Sequence, residues 1–555
     1  MSRAIVVAFP LIILAAPGVL DAEPRRSDQD LSAALGQVRG SAVRAHVEFL
    51  ADDHLEGRKS GTRGYEVAAR YVAAQLKAMG LAPAGDEGTY FQQVPLQESV
   101  LERGEVSLTP TKGSSPIALV AGEDYLMSGD PATTEAAVEA PVVFAGFGIT
   151  APELDHDDYE GSDVRGKIVA VLSNAPARFP SEQRAHFASG RQKAENAARR
   201  GAVGVLLLRT PEEEAKLPWS RVVKNADSAS VRWLRPDGRP ESTTPQLRGS
   251  AALSLVATRK LFASSAVALE DAVASAAKSR TRAFPLGSAR LESRSKHRRF
   301  TSPNVVGRLE GSDPSLKDTS VVLSAHLDHI GTGTAENGDA IYNGAYDNAT
   351  GTGVVLEAAR ALVALRERPR RSILFLFVTS EENGLLGSDY FANRPTARAG
   401  KVVANVNIDM PLLLYPLADV VAFGAENSSL DGVVSKAAAR AGLSLSPDFI
   451  PEENVFTRSD QYSFVRRGIP AVFLVPGLKS KDPSADGAKA FGEFFARHYH
   501  RPSDDLSLPI DLGSVERFVR ANVLVTHAIA SDPRAPQWKP GNFFGKTFGP
   551  GQPRD

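Results

Sequence analysis

Five stretches in the second half of the chain place histidine or acidic residues directly after an apolar run or in a loop beyond one. Each run has the length and composition of a buried strand, so the polar residues at its end call for a chemical explanation. Imidazole and carboxylate groups without sulfur are ligands that suit Zn²⁺, Mn²⁺ or Co²⁺. The groups are His326 and Asp328 after VVLSA, Asp347 in YNGAYDNATGTG, Glu381 and Glu382 after ILFLFVTS, Asp409 after VVANVNI, and His500 in HYHRPSDDL.

The number of candidate ligands indicates more than one metal ion. A single tetrahedral ion with an open position uses three side chains, whereas two imidazoles and at least three carboxylates are available here. Two ions that share a bridging carboxylate would use five side chains and leave room for a bridging water. The adjacent carboxylates of Glu381 and Glu382 repel each other unless a cation lies between them. One can then bind metal while the other takes a proton from metal-bound water.

The elements around these groups predict an α/β fold. From about Pro303 onward, near-continuous apolar strands alternate with helical segments such as ATGTGVVLEAARALVAL and SVERFVRANVLVTHAIAS. This alternation indicates a mixed, mostly parallel sheet sandwiched by helices. In such sheets a site forms beyond the carboxyl ends of the strands, where all five stretches would meet.

Changes in composition along the chain predict its domain organisation. Residues 30–116 form helices and a strand of the same domain as residues 296–531, which carry the candidate ligands. Residues 117–290 mix short strand-like runs with long charged loops and are predicted to be an inserted β-rich domain. The basic stretch RLESRSKHRRF is interpreted as a solvated linker, and residues 532–555, rich in Pro and Gly, as a poorly ordered tail.

The first 22 residues predict export. Arg3 precedes an apolar run broken by Pro10 and Pro17, and the small Ala22 stands at the cleavage position, which is typical of a signal peptide rather than of a membrane span. The sequence contains no cysteine, so disulfides and thiolate metal sites are excluded. For an exported protein, the absence of disulfides indicates a bacterial periplasm or the external medium as the location. No stable membrane insertion is expected after cleavage of the signal peptide.

The charge balance narrows the class of partner. Lys and Arg number 64 and Asp and Glu number 65, which gives a net charge of −1. Nucleic acid and anionic membrane surfaces are therefore not expected as main partners. The sequence leaves the oligomeric state open.

The ordered motifs resemble those of the M28 zinc aminopeptidases. SAHLDHIG, NGAYDNATGTG, TSEENGLLGSDYF, NIDM and YHRPSDD are similar to that family's motifs in order and spacing, and the early stretch LADDHLEGRKSGTRGYEVAARYVAAQLKAMGLAPAG resembles it too. PVVFAGFGI and GKIVAVL resemble the protease-associated (PA) domain found in many members. The resemblance implies a phosphorylase/hydrolase-like zinc exopeptidase fold with a PA-type domain at residues 117–290.

The resemblance also implies roles for individual residues. Asp347 would bridge two zinc ions, for which Mn²⁺ or Co²⁺ could substitute. Glu381 would be the general base for attack of a metal-bridging water on the scissile carbonyl, and Asp328 would be the carboxylate that orients the first histidine. The other ligands would be His326 and Asp409 on one ion, and Glu382 and His500 on the second.

The implied substrate is a peptide with a free N-terminus. RSDQYSFV resembles the family's segment before the last ligand, so Asp460 and Tyr462 are candidate substrate contacts, although Gln461 stands where the family often has His. Two alternatives stay open. One is a related carboxypeptidase or glutaminyl cyclase, which keeps much of the ligand set; the other is a non-catalytic, receptor-like ectodomain.

His329 has no role in this scheme. Successive side chains of an extended strand point to opposite faces. Asp328, two positions after His326, therefore lies on the side of the first ligand, and His329 is predicted to point away from the metal.

Overall fold

The computed structural model describes residues 26–111, 115–224 and 229–551. The signal peptide predicted at residues 1–22 lies outside this part of the chain. Within the described ranges, we find no helix that combines the length and the apolar character needed to cross a membrane.

Helices make up most of the main domain's outer layers. The two helices that flank the loop of His500 begin at Asp486 and Asp511, whose carboxylates accept hydrogen bonds from the backbone N–H groups of Lys489 and Ser514. The helices are α1 (Arg26–Gly36), α2 (Gly40–Leu50), α3 (Arg63–Ala78), α4 (Ser181–Ala188), α5 (Gly190–Arg199), α6 (Pro211–Lys216), α7 (Trp219–Lys224), α8 (Leu255–Phe262), α9 (Leu269–Ala277), α10 (Gly351–Val363), α11 (Leu386–Asn393), α12 (Leu430–Arg440), α13 (Gln461–Val465), α14 (Gly487–Arg497), α15 (Leu512–Ser531) and α16 (Phe543–Phe548).

Most strands join one large sheet that runs through both the main and the inserted domain. The strands are β1 (Ala82–Pro83), β2 (Phe91–Thr109), β3 (Ile117–Ala118), β4 (Tyr125–Leu126), β5 (Glu135–Phe144), β6 (Thr150–Ala151), β7 (His156–Asp157), β8 (Ile168–Leu172), β9 (Gly204–Leu208), β10 (Ala229–Trp233), β11 (Ser250–Leu253), β12 (Phe284–Leu309), β13 (Thr319–His326), β14 (Gly331–Glu336), β15 (Asp339–Tyr342), β16 (Ser372–Val378), β17 (Lys401–Asn407), β18 (Asp419–Phe423), β19 (Ser444–Leu445) and β20 (Ala471–Pro476).

Strand β13 lies at the centre of the main domain's part of the sheet. It pairs in parallel with β16 on one side and with β17 on the other. β20 continues the parallel set beyond β17, and β18 and β12 flank it in antiparallel orientation. The predicted mixed, mostly parallel sheet is therefore confirmed. Because parallel strands run the same way, the carboxyl ends of β13, β16 and β17 lie side by side.

The two faces of β13 pack against different hydrophobic cores. Val321 and Leu323 belong to the cluster that helices α2, α3, α10, α12 and α15 cover. Val322 belongs to the cluster on the opposite face, together with Phe391 of α11 and Phe464 of α13. All of these side chains are fully buried. Burial on both faces explains the continuous apolar run from which the strand was predicted.

The inserted domain is joined to the main domain by a continuous β-ribbon. Residues 91–109 of β2 pair antiparallel with residues 288–305 of β12. The basic stretch at residues 290–300 is therefore the middle of β12, and its prediction as a solvated linker is wrong. Its charged side chains project from the ribbon, as in the ion pair between Arg298 and Glu98 at 2.9 Å. The many arginines in this stretch hide the two-residue alternation of side chains by which a strand is predicted from sequence.

The inserted domain has a sheet and a core of its own. β5, β8, β9 and β11 are parallel neighbours, and the first half of β12 pairs antiparallel with β5. Phe144, Leu206 and Leu253 belong to a hydrophobic cluster that is separate from those of the main domain.

Residues 532–551 are ordered, in contrast to the predicted tail. The indole N–H of Trp538 donates to the carbonyl of Gly468 at 3.0 Å, and Trp538 also forms a β-bridge with Ser428. Phe544 of α16 is fully buried. Burial of these aromatic side chains holds a segment whose Pro and Gly content disfavours regular structure. Residues 552–555 lie outside the described part of the chain.

Helix α4 docks the inserted domain onto the main domain. Glu182 is buried, and its carboxylate accepts hydrogen bonds from the backbone N–H of Gly424 (2.5 Å) and from Nδ2 of Asn427. One turn later, His186 Nδ1 lies 2.5 Å from the hydroxyl of Tyr462 in α13. The inserted domain is therefore held against the main domain at α4 as well as through the ribbon.

We predict that Glu182→Gln changes how stability depends on pH. Burial raises the pKa of Glu182 to about 7 from its ordinary value of 4.5. Between these values the folded chain holds a proton that the unfolded chain has released. Stability from this group is present in full below pH 4.5 and is lost as pH rises to about 7. The loss is at most about 1.4 kcal/mol per pH unit.

Urea unfolding of wild type and variant between these pH values measures the effect. Relative to the variant, wild type should lose stability as pH rises. Glu123→Gln, at an exposed position of the inserted domain, serves as the control and should follow wild type. Parallel profiles for wild type and Glu182→Gln would contradict the prediction.

Candidate metal centre

Three neighbouring strands deliver four of the predicted groups to one edge of the sheet. His326 is the last residue of β13, Glu381 and Glu382 come shortly after β16, and Asp409 comes shortly after β17. The strands are adjacent in the order β16–β13–β17. The apolar runs therefore place these groups at the same edge because the strands are parallel.

Asp347 lies between two histidines. It is carried by the turn ahead of α10, and His500 by the loop after α14. Oδ1 of Asp347 is 3.3 Å from Nε2 of His326, and its Oδ2 is 3.2 Å from Nε2 of His500. A second carboxylate accompanies each histidine: Asp409 Oδ1 is 3.0 Å from His326 Nε2, and Glu382 Oε2 is 3.3 Å from His500 Nε2. The five side chains thus form two groups that share Asp347.

Glu381 stands beside the first of these groups. Donor atoms of His326, Glu381 and Asp409 all lie within 4.8 Å of one another. The Glu381 side chain is almost completely enclosed, and its backbone N–H is fixed by the carboxylate of Asp328 (3.1 Å). The two adjacent glutamates therefore serve different groups, with Glu381 next to His326 and Glu382 next to His500.

The environments of the two glutamates move their pKa values in opposite directions. Burial raises the pKa of the Glu381 carboxyl well above its usual range. Burial acts the same way on Glu382, but the neighbouring His500 and His329 outweigh it and hold its pKa at about 2. One carboxyl therefore has a high proton affinity and the other remains an anion. Such a pair is typical of an acid–base group placed beside a ligand.

The donor set fits divalent metal ions. Carboxylates that converge in a largely buried site repel one another, and a cation between them removes that cost. Imidazole nitrogens combined with carboxylate oxygens, and no sulfur, are suited to Zn²⁺ and to Mn²⁺ or Co²⁺.

Of the predicted ligands, His500 has the most exposed side chain, at 37%. The site is therefore reached from the side of His500.

Asp328 contacts His326 through a different group from the carboxylate that was predicted. Its backbone carbonyl, not its carboxylate, lies 3.1 Å from Nδ1 of His326. The carboxylate accepts hydrogen bonds from the backbone N–H groups of Glu381 (3.1 Å) and Glu382 (3.4 Å), and from the hydroxyl of Ser60 (3.2 Å). The carboxylate therefore does not contact His326 as predicted, because β13 ends at His326 and the strand alternation does not continue to Asp328.

Arg58 is a buried cation beneath the site that the sequence did not reveal. Its side chain is 1% exposed. It ties the residue after His326 to the loop before Asp347 and to the end of α2. The stretch EGRKSGTRG belongs to the resemblance, but its spacing does not indicate a buried arginine. The guanidinium donates to the backbone carbonyls of Leu327 (3.0 Å), Asn343 (2.6 Å), Gly344 (3.0 Å) and Leu50.

Two further polar side chains shape the loop of Asp347. Asp504 is fully buried and accepts hydrogen bonds from the backbone N–H groups of Tyr346 (2.9 Å) and Asp347 (3.0 Å). Asn348 Oδ1 accepts from the backbone N–H of Met410 (3.2 Å), next to a predicted ligand. Both residues lie within quoted motifs, but their partners are backbone groups that only the folded loops supply.

His329 lies at the site, contrary to the prediction from strand alternation. β13 ends at His326, so the two-residue period of an extended strand does not continue to His329. Nδ1 of His329 is 2.7 Å from Oε1 of Glu382. Its ring is buried at 1% exposure.

The two candidate substrate contacts are buried. Asp460 is fully buried and Tyr462 is 5% exposed. The hydroxyl of Tyr462 bonds to His186, and the amide of Gln461 donates to the carbonyl of Phe456 (2.7 Å). These contacts favour a packing role for this segment beneath the site over direct contact with substrate.

A tyrosine that the sequence analysis passed over lies closer to the opening. The ring of Tyr499 stacks on that of His500, with 3.9 Å between centroids. Its hydroxyl accepts a hydrogen bond from Arg458 (3.2 Å). Tyr499 directly precedes a predicted ligand, which is the one signal in the sequence that could have identified it.

Two profiles of known protein families match the chain. The profile of peptidase family M28 matches residues 304–526, and the profile of the PA domain matches residues 138–234. The first match contains every predicted ligand and the predicted base. The second lies within the inserted domain.

Two curated relatives match part of the chain. The sequence is 27% identical over 217 residues to "Probable leucine aminopeptidase 2" of Aspergillus fumigatus, covering 37% of this chain and 40% of the relative. It is 28% identical over 214 residues to leupeptin-inactivating enzyme 1 of Streptomyces exfoliatus, covering 37% of this chain and 44% of the relative. The matched stretch spans less than half the length of either relative.

A solved structure shares the fold over nearly the whole chain. The aminopeptidase from Aneurinibacillus sp. strain AM-1 superposes with a TM-score of 0.50 at 17% identity, covering 92% of this chain and 98% of that one. This likeness supports the combination of a helix-sandwiched sheet with an inserted domain.

We predict that Arg58→Met destabilises the protein by about 3 kcal/mol or more. The methionine fills much of the space but removes the Arg58 donor from four buried carbonyls, of which that of Gly344 keeps the backbone N–H of Ala349 (3.2 Å). Each carbonyl left unpaired costs about 1–3 kcal/mol. Arg58→Lys restores the charge but not the fork of donors, so it should recover only part of the loss.

Chemical denaturation of the metal-free protein measures this loss. Arg44→Met is the control, because the Arg44 side chain is 56% exposed and surface changes usually stay within about 0.5 kcal/mol. A loss for Arg58→Met no larger than that of the control would show that the four hydrogen bonds do not matter.

Proposed function

Because residues 304–526 are a peptidase family M28 domain and residues 138–234 are a PA domain, we propose that the chain is an exported di-zinc aminopeptidase that removes the first residue from peptides. The observation that carries the proposal is the pair of histidine–carboxylate groups on either side of Asp347, with Glu381 beside one of them. The name of the Aspergillus relative, a probable leucine aminopeptidase, supports cleavage of the N-terminal peptide bond.

Five side chains would hold the metal. His326 and Asp409 would bind one zinc ion, Glu382 and His500 the second, and Asp347 would bridge them through its two oxygens. When bound, the ions would polarise the scissile carbonyl and lower the pKa of a water molecule.

Glu381 would act as the general base. Its carboxylate lies at the His326 group, and burial gives it a high proton affinity. It would take a proton from the attacking water and return that proton to the leaving amine from the same carboxylate. The bond from its backbone N–H to Asp328 holds the backbone that carries this carboxylate.

A free N-terminus on the substrate is part of the proposal. The carboxylates of Asp347, Glu381, Glu382 and Asp409 converge at the site, but two divalent ions would offset their negative charges. The preference for a free N-terminus therefore rests on the family resemblance and on the name of the aminopeptidase relative. Export belongs to the proposal through residues 1–22 and the absence of cysteine.

We predict that Glu381→Gln keeps about two zinc ions per chain but lowers kcat by about 10²–10⁴-fold. The amide preserves the shape of the side chain but cannot accept the proton. Metal analysis of the purified variant and steady-state kinetics on an aminoacyl-arylamide measure the two effects separately.

The exposed Glu426→Gln is the matched control and should retain both metal and turnover. Near-normal kcat in Glu381→Gln with metal bound would remove Glu381 as the base. A wild-type protein that holds only one tightly bound ion would instead favour a glutaminyl cyclase-type enzyme.

We also predict that the enzyme cleaves aminoacyl-arylamides and free-N-terminal peptides but not their N-acetylated forms. Peptides with acidic C-terminal residues and a blocked N-terminus complete the panel. Cleavage of those peptides would indicate a carboxypeptidase. Metal-loaded protein that cleaves none of the panel would favour a receptor-like ectodomain.

A further inference from the structure

His329 occupies a fixed place against the second group of predicted ligands. Its backbone N–H donates to the carbonyl of Arg58 (3.3 Å). Its ring packs so closely on Gly344 that a Cβ there would lie 2.6 Å from the ring. The ring also meets His500 edge to face, with 5.8 Å between centroids. These contacts restrain the plane of the ring.

The two oxygens of Glu382 have separate partners. Oε1 is 2.7 Å from Nδ1 of His329. Oε2 is 3.3 Å from Nε2 of His500, which is itself 3.2 Å from Oδ2 of Asp347. The oxygen that faces the other two predicted ligands is therefore the one that His329 does not engage.

The direction of the hydrogen bond follows from the chemistry of the partners. An ionised carboxylate only accepts hydrogen bonds, so Nδ1 of His329 carries the proton. Nε2 is buried and has no hydrogen-bond partner among the described residues. The bond to Glu382 is thus the only side-chain hydrogen bond that we find for the ring within that part of the chain.

A direct metal-binding role for His329 is the competing interpretation. Donor atoms of His329, Asp347 and Glu382 lie close enough together for one ion. However, Nδ1 is 3.9 Å from Asp347 Oδ2, whereas His500 Nε2 is 3.2 Å from the same atom. His500 therefore has the better position for a ligand, and His329 has the geometry of a hydrogen-bond donor.

We propose that His329 is a positioning residue for the second zinc ion: its Nδ1–H holds Oε1 of Glu382, which would leave Oε2 available to the ion. This inference rests on the proposed di-zinc function. A charge-assisted hydrogen bond of this kind fixes the orientation of a ligand before metal arrives. Removal of such an outer partner typically costs 10–100-fold in metal affinity.

A matched pair of variants distinguishes the contribution of the Nδ1–H group to zinc binding from that of the rest of the His329 side chain. Asparagine and leucine have nearly the same shape, but only His329→Asn places an N–H close to the former Nδ1. The metal-free proteins are reloaded with zinc, and both dissociation constants are measured by competition with a chelator. Thermal unfolding of the metal-free proteins shows that each variant folds.

We expect His329→Leu to raise the dissociation constant of one of the two zinc ions, the one at the Glu382 group, by about 10–100-fold, and His329→Asn to recover most of that loss. The affinity of the other ion should change little in either variant. Equal zinc affinity in His329→Leu and wild type would overturn the inference. Equal weakening in both variants would also overturn it, because the ring would then matter only for packing.

A third outcome would assign His329 as a ligand. In that case both variants would bind a single ion, while His500→Ala would still bind two. The proposed function has a separate point of failure: wild-type protein that binds no zinc would refute the di-zinc enzyme itself, before any comparison of the variants.

Discussion

The buried guanidinium of Arg58 is the interaction on which the rest of the site depends. Four backbone carbonyls from three separate stretches converge on it, and two of these stretches carry predicted ligands. Burial lowers the pKa of Arg58 to about 10, so it remains a cation at neutral pH. Its positive charge interacts with four nearby carboxylates, those of Asp328, Asp347, Glu382 and Asp504. A single side chain therefore sets the spacing of the ligand loops and reduces the repulsion among the acids they bring together.

The two neighbouring glutamates, Glu381 and Glu382, differ in their proton affinity. The carboxylate of Asp328 holds the backbone of both, so the difference comes from their surroundings. Burial raises the pKa of the Glu381 carboxyl, whereas two neighbouring histidines lower that of Glu382. Environment rather than residue type therefore separates the candidate base from the candidate ligand.

The inserted domain belongs to the same structural unit as the site. A β-ribbon leads into it and out of it, and Glu182 and His186 of α4 contact the main domain. His186 bonds to Tyr462, two residues after the buried Asp460. The domain therefore supports the segment beneath the site from outside, which differs from a module tethered by flexible linkers.

The sequence by itself determined where the candidate site residues lie. Strands buried on both faces must be apolar throughout, so polar residues collect at their ends, and the candidate ligands His326 and Asp409 and the candidate base Glu381 could be predicted there. Tertiary structure alone decided what supports them. Arg58 and His329 act through backbone carbonyls and one carboxylate oxygen from distant segments, and such partners leave no periodic pattern in a sequence. The sequence thus specifies which groups could bind metal, while the fold decides which atoms of these groups lie close together.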